Sequence, residues 1–282
     1  MKTPFLRQTL AASLFAATLA VTLIDSNFVR ADGFVPQVIA TTPGALDDAI
    51  GHVQGICCDE DAIYAVFTNA VYKIDWNGDV VKSVSAPQHS GDPCLANGKL
   101  YVSMSCDEGV ALYEYDLDLN LTRKIKLEDC PAADGVAYLN GKFYVGGPST
   151  YEPHKDNLTL VYDSDFNLIQ KTNVNFDVET HYGPQSIAAW NDEIFIAFYP
   201  RDDAPKVTLR SLCVDERLKN VASFTIDGST GWQPAPDSKQ SKDKDKPLFL
   251  LGRTAKVDGK TVVKLIWAQF DAKTNEFKIV AE

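Results

Sequence analysis

Only four histidines occur in the 282 residues, and three of them, His52, His89 and His181, stand just ahead of short apolar runs. The fourth, His154, lies in the polar segment GPSTYEPHKDN. Gln54, Asp92, Asp134, Gln185, Tyr182 and Trp232 occupy comparable places along the chain. Three kinds of chemistry fit this set. Neutral imidazoles with a carboxylate can hold Zn²⁺, Mn²⁺ or Fe²⁺, which makes His52, His89 and His181 candidate metal ligands. A histidine beside a tyrosine can take and return a proton in β-elimination or hydrolysis of an acidic sugar. On that reading His89, His181 and Tyr182 are catalytic, and Gln54, Asp92, Asp134, Gln185 and Trp232 bind the ligand. The plainest alternative is that these polar groups satisfy backbone donors and hold water.

What must position them is a repeat. Five segments share one layout: AIYAVFTNAVYKIDWNGDVVKSV, KLYVSMSCDEGVALYEYDLDLNLTRKIKL, KFYVGGPS with NLTLVYDSDFNLIQKT, EIFIAFYP with VTLRSLCVDERLKNVASF, and PLFLLGRT with VVKLIWAQFDAKTNEFKIV. Each reads as a strand, a loop, a second strand ending in Asp, a tight polar turn and a third strand. The turn-opening residues are Asp75, Asp116, Asp163, Asp215 and Asp271. Such turns use Asp for its own side-chain hydrogen bonds, so calcium is not needed to explain them. Ahead of each segment runs a further short strand that ends in a turn such as Asn-Gly, whose residues tolerate positive φ. Four antiparallel strands repeated five times, about 40–55 residues apart, predict an all-β, five-bladed β-propeller. A β-sandwich would share the alternation but not the five-fold period. Phe34–Thr42 reads as one more strand that joins the last blade and closes the ring.

Aligning the repeats on Ile63, Leu100, Phe143 and Ile194 puts His52, His89, Ala132 and Gly183 at one position. Gln54, Gly91, Asp134 and Gln185 share the next, then Gly55, Asp92, Gly135 and Ser186. All lie where inner strands begin, so the histidines should gather at one mouth of the central channel. His154 falls in a long loop on the same face, and long loops mark the working side of a repeat scaffold. The expected ligand is small and polar, or carbohydrate-like, and the expected cofactor is a divalent metal (Zn, Mn, Fe or Ca) or none. A protein or sugar partner bound without catalysis is the alternative.

The blade pattern and the HVQGI segment at His52 resemble the broad NHL, YncE and SMP-30-like group of propellers. That resemblance covers nearly the whole chain beyond the N-terminus and implies the fold. The SMP-30-type metal set of one Glu, two Asn and one Asp has no counterpart, so lactonase activity is not implied. No H-E-x-x-H, Walker A or G-x-S-x-G motif occurs.

At the N-terminus, Lys2 and Arg7 precede the apolar run Leu10–Ile24, followed by Val29-Arg30-Ala31. This is the pattern of a signal peptide, residues 1–31, cleaved after Ala31. Residues 32–282 would then be a single, monomeric propeller domain, secreted or periplasmic. A net charge of −11 with 27 basic residues argues against nucleic-acid and anionic-membrane partners. Six cysteines in an exported chain permit disulfides. Cys106 and Cys130, on the histidine-bearing face of neighbouring blades, are the expected pair. Cys57, Cys58 and Cys94 read as small buried hydrophobes. Proline in Gly231–Pro236 predicts a short inner strand in the last blade.

Overall fold

Two-residue turns set the strand spacing. Asn97-Gly98, Asn140-Gly141 and Asp258-Gly259 all adopt positive φ at both positions, as hairpins of this twist require. The flanking residues pair directly: Ala96 with Lys99, Leu139 with Lys142, and Val257 with Lys260. At the wider turns, Asp75 Oδ1 accepts from the amides of Asn77 and Asp79, both at 2.9 Å. Asp116 and Asp163 repeat this geometry with Asp118 and Asn120, and with Asp165 and Asn167. The recurrent aspartates therefore organise turns, as their side-chain chemistry suggested; Asp215 lies outside the described residues.

The computed structural model describes residues 40–42, 44–147, 154–200, 208–213, 218–220, 229–234, 246–274 and 276–281. The chain is an all-β propeller of antiparallel, four-stranded units. One sheet contains β1 (Val53–Cys58), β2 (Ala62–Phe67), β3 (Ala70–Asp75) and β4 (Val80–Ser85). The next contains β5 (Ser90–Ala96), β6 (Lys99–Cys106), β7 (Gly109–Tyr115) and β8 (Leu121–Lys126). Seven strands form the third: β9 (Gly135–Leu139), β10 (Lys142–Gly147), β11 (His154–Tyr162), β12 (Leu168–Trp190), β13 (Glu193–Pro200), β14 (Thr208–Cys213) and β15 (Leu218–Asn220). The last holds β16 (Ser229–Pro234), β17 (Leu248–Val257), β18 (Lys260–Asp271) and β19 (Glu276–Ala281).

Five separate sheets were expected, whereas the described strands form four. The cause is β12, which is 23 residues long. Its first part pairs with β11 from Leu168 to Thr180, and its second with β13 from Thr180 to Trp190. The only helical element among the described residues is a single 3-10 turn, Asp48–Ile50. β16 ends at its proline, and residues 235–245 lie outside the described residues. It has six residues, and Pro234 sits at its last paired position, opposite Phe249.

Inner strands touch in cyclic order: β1 with β5, β5 with β9, β9 with β12, β12 with β16, and β16 with β1. Apolar faces fill the spaces between sheets. Cys57, Tyr64 and Val66 pack with Leu100, Val102 and Tyr113, and Phe195 packs edge-on against Phe249 and Phe270. The ring is joined at its ends by the segment before the first strand. Ala40 bridges Lys264 of β18, and Thr41 exchanges hydrogen bonds with Val263 at 3.2 and 3.0 Å. Thr42 then bonds Gly78 and Asp79 in the first sheet. Of the expected closing strand Phe34–Thr42, the described residues 40–42 make one isolated bridge and these hydrogen bonds; residues 34–39, like 1–31, lie outside the described residues.

Candidate functional site

Close packing of strand starts determines how far a ligand can enter. A Cβ at Gly55 would collide with Asp92 Oδ1 and lie 2.6 Å from its Cα, so only glycine lets β1 approach β5 here. Asp92 is wholly buried. Its Oδ2 accepts from Ser186 Oγ at 2.9 Å and from the Ile187 amide at 3.0 Å, whereas Oδ1 has no hydrogen-bond partner. Burial drives this carboxyl well above the usual aspartate range, outweighing the bonds that favour its charge. Gln233 Nε2 donates to the carbonyls of Pro93 (3.3 Å) and Ile187 (3.4 Å). These groups bridge β1, β5, β12 and β16, and Gln233 also lines a small cavity with Cys57, Cys94, Ala137 and Ala189 of the inner strands. Asp92 is therefore enclosed, locking inner strands together, and is not presented to solvent.

His52 and His89 immediately precede β1 and β5. His52 Nε2 lies 3.2 Å from Gln54 Nε2. The amide can only donate, so this contact needs an unprotonated Nε2 on His52. Gln54 Nε2 also reaches Thr68 Oγ1 at 3.3 Å. Partial burial lowers the His52 pKa, and the positive charge of His89 lowers it further. The structure thus brings imidazoles from adjacent sheets into mutual electrostatic range. His89 also lines a cleft of about 240 Å³ with Gln88, Ser105, Cys106, Asp107 and Glu108.

Asp134 begins the neighbouring inner strand, and burial lifts its carboxyl to about 7 despite a hydrogen bond with Ser105. On the adjacent inner strand β12, Gln185 Nε2 donates to the Tyr182 carbonyl at 3.1 Å, and Tyr182 is 53% exposed. The backbone of His154 pairs with Thr180, next to His181. The side chains of His154, His181 and Trp232 lie outside the described residues.

Among the described residues, no three His, Cys, Asp or Glu side chains are grouped to hold a metal. His52 and His89 alone fall short of the three protein ligands of a catalytic zinc site. Ser105, Thr68 and Ser186 were missed by sequence reasoning. Ser186 shares the aligned position of Asp92, and that coincidence was the available signal.

The expected Cys106–Cys130 disulfide is absent; these two are unbridged. Each thiol instead finds a local acceptor: Cys130 donates to the Ala132 carbonyl at 3.1 Å and Cys106 to that of Gly109 at 3.5 Å. Local turns satisfy the sulfurs without a crosslink.

No family model matches the chain, and no curated protein matches it. Solved structures do share its fold. A glutaminyl cyclase from Myxococcus xanthus is similar over 83% of this chain and 99% of its own, at 12% identity and a TM-score of 0.54. The structure of YjhT matches over 83% and 98%, at 11% identity and a TM-score of 0.50. A chain of a nidogen/laminin complex matches over 84% and 81%, at 10% identity and a TM-score of 0.51. At such identities the likeness concerns the fold alone.

Proposed function

We propose that this protein is an exported, five-bladed propeller that binds a small polar ligand at the mouth carrying His52, His89 and Gln54. What supports the reading is His52 held against Gln54 at 3.2 Å and His89 lining a cleft of about 240 Å³, each just ahead of one of two adjacent inner strands. The five-fold count assigns β12 to two blades, its Leu168–Thr180 part closing one and its Thr180–Trp190 part opening the next. Residues 1–31 serve as a cleaved signal peptide, which puts the mature chain in the periplasm or outside the cell. Within propellers, the blade pattern resembles the NHL, YncE and SMP-30-like group.

A catalytic reading, lyase or hydrolase, draws on Asp134. A carboxyl near 7 beside a serine and close to an imidazole-lined cleft can exchange protons at neutral pH. Metal assistance would require His181 to complete the set. A divalent ion is a cofactor on that condition only, and the protein otherwise acts alone as a monomer, away from nucleic acid and membrane.

The test compares wild type with the His52→Ala/His89→Ala double variant. Thermal shifts are read against a panel of sugars, organic acids and divalent ions. A ligand that stabilises wild type but not the variant supports the mouth site. Equal shifts in both would refute it.

A further inference from the structure

The turn between β6 and β7 sets two carboxylates in the wall of the His89 cleft. Cys106 pairs directly with Gly109, so Asp107 and Glu108 fill a two-residue turn, and both are exposed. With Gln88, His89, Ser105 and Cys106 they line the cleft of about 240 Å³, and no lysine or arginine lines it with them. One cation does approach from outside. Lys124 Nζ lies 3.3 Å from Glu108 Oε2, but these side chains are 51% and 72% exposed, and ion pairs so open to water are weak. Asp107 forms no ion pair among the described residues.

The remaining polar groups of the cleft face a ligand chiefly as acceptors. Ser105 Oγ accepts from the Ala133 amide at 2.8 Å and commits its own hydrogen to the Ala133 carbonyl at 3.3 Å or to the Asp134 carboxyl. Cys106 Sγ donates to the Gly109 carbonyl at 3.5 Å. His89, when neutral, offers one ring nitrogen as acceptor, and Gln88 offers its amide oxygen. An anion entering here would meet two carboxylates and give up hydration without a basic partner. A cation with N–H groups meets both opposite charge and acceptors. The net charge of −11 on the whole chain acts in the same sense, drawing cations in and turning anions away before contact. No three His, Cys, Asp or Glu side chains among the described residues are grouped to hold a metal, so a cation that brings its own hydrogen-bond donors fits better than a bare ion. The cleft is smaller than the roughly 300–1,000 Å³ of pockets for drug-sized ligands, which leaves room for one ring or a short chain.

We infer that the ligand of the His89 cleft is a small organic ammonium compound, its charge set against Asp107 and Glu108 and its N–H groups bonded by them and by His89. This rests on the reading of the mouth as the ligand site. The experiment is calorimetric binding of the mature protein to glucosamine, glucose and glucuronate, which share one ring and carry one positive charge, none and one negative charge. Cadaverine serves as the short-chain ammonium probe and Zn²⁺ as the bare cation. Glucosamine or cadaverine should bind at least about tenfold tighter than glucose or glucuronate, and more weakly as salt is raised. Asp107→Asn/Glu108→Gln should lose at least about fivefold of that affinity while melting like wild type, because both side chains are exposed. Equal binding of the three sugars, binding of Zn²⁺ but of neither ammonium compound, no binding of any probe, or ammonium binding unchanged in the Asn/Gln variant would each overturn the inference. If glucose or glucuronate binds instead and His52→Ala/His89→Ala abolishes it, the charge assignment is wrong and the mouth reading stands. Ammonium binding undisturbed by His52→Ala/His89→Ala would remove the mouth reading, and this inference with it.

Discussion

A carboxyl held at about 7 keeps a proton that an unfolded aspartate has already lost, so Asp134 ties stability to pH in a definite direction. Below the unfolded value near 3.8 both states are protonated and the group contributes nothing. Between there and about 7 the native state binds more protons, so unfolding free energy falls as pH rises. Asp92, raised by complete burial, acts in the same sense. Urea titrations should therefore show stability decreasing from pH 5 to pH 8, with Asp134→Asn flattening the slope by on the order of 2–4 kcal/mol across that range. A profile that rises over this interval would contradict the enclosure of Asp134. The thiols offer a second check at the same scale. Cys57, Cys58, Cys94 and Cys130 are buried, whereas Cys106 is half-buried beside the His89 cleft. A thiol reagent applied to the native protein should label Cys106 first among these five, and the others only on unfolding, as read by peptide mass.

Among the elements, β1 and β5 show how a single missing Cβ decides a contact. Gly55→Ala would press a methyl group into Asp92, including its backbone, where no flexible side chain can move aside. The expected loss is about 3 kcal/mol or more, measured by chemical denaturation. Gly98→Ala, with open space around its Cβ but positive φ, should cost about 1–2 kcal/mol. Comparison of the two separates interstrand collision from turn strain. Both turns and strand alternation were legible in the sequence, because each depends on residues within four positions of one another. The Asp75 and Asp116 turns and the Asn97-Gly98 hairpin are of that kind. The continuity of β12 was not legible. It depends on β11 and β13 both staying paired with one chain through Thr180, which no local pattern encodes. Nor was the fate of Cys106 and Cys130, where nearby carbonyls satisfy the thiols one by one.

At the scale of the whole molecule, some positions that the repeats align also meet in space. Gly55, Asp92 and Ser186 share one aligned position and converge at the axis. The alignment did not reveal that Asp92 would be enclosed, since the depth of a side chain depends on how tightly inner strands pack around it. The same ring geometry predicts how the protein loses its structure. A ring of sheets has two ends, and here Ala40–Thr42 ties them, bonding β18 on one side and the Asp75–Asp79 turn on the other. Thr41 is buried, and its hydroxyl accepts from the Val263 amide. Thr41→Val keeps the shape but leaves that amide without its acceptor, a loss of about 1–3 kcal/mol. Removing residues up to Thr42 goes further, exposing the β18 edge and parting the last sheet from the first. Without the tie, sheets at the opened ends should fray before the rest, as in an open repeat array. Urea unfolding of residues 32–282 should therefore be a single transition by both fluorescence and circular dichroism, whereas residues 43–282 should unfold at lower urea with the two probes no longer coincident. Coincident, unshifted transitions in the shortened chain would mean that the ring is held by its inner strands alone and that the N-terminal tie is dispensable.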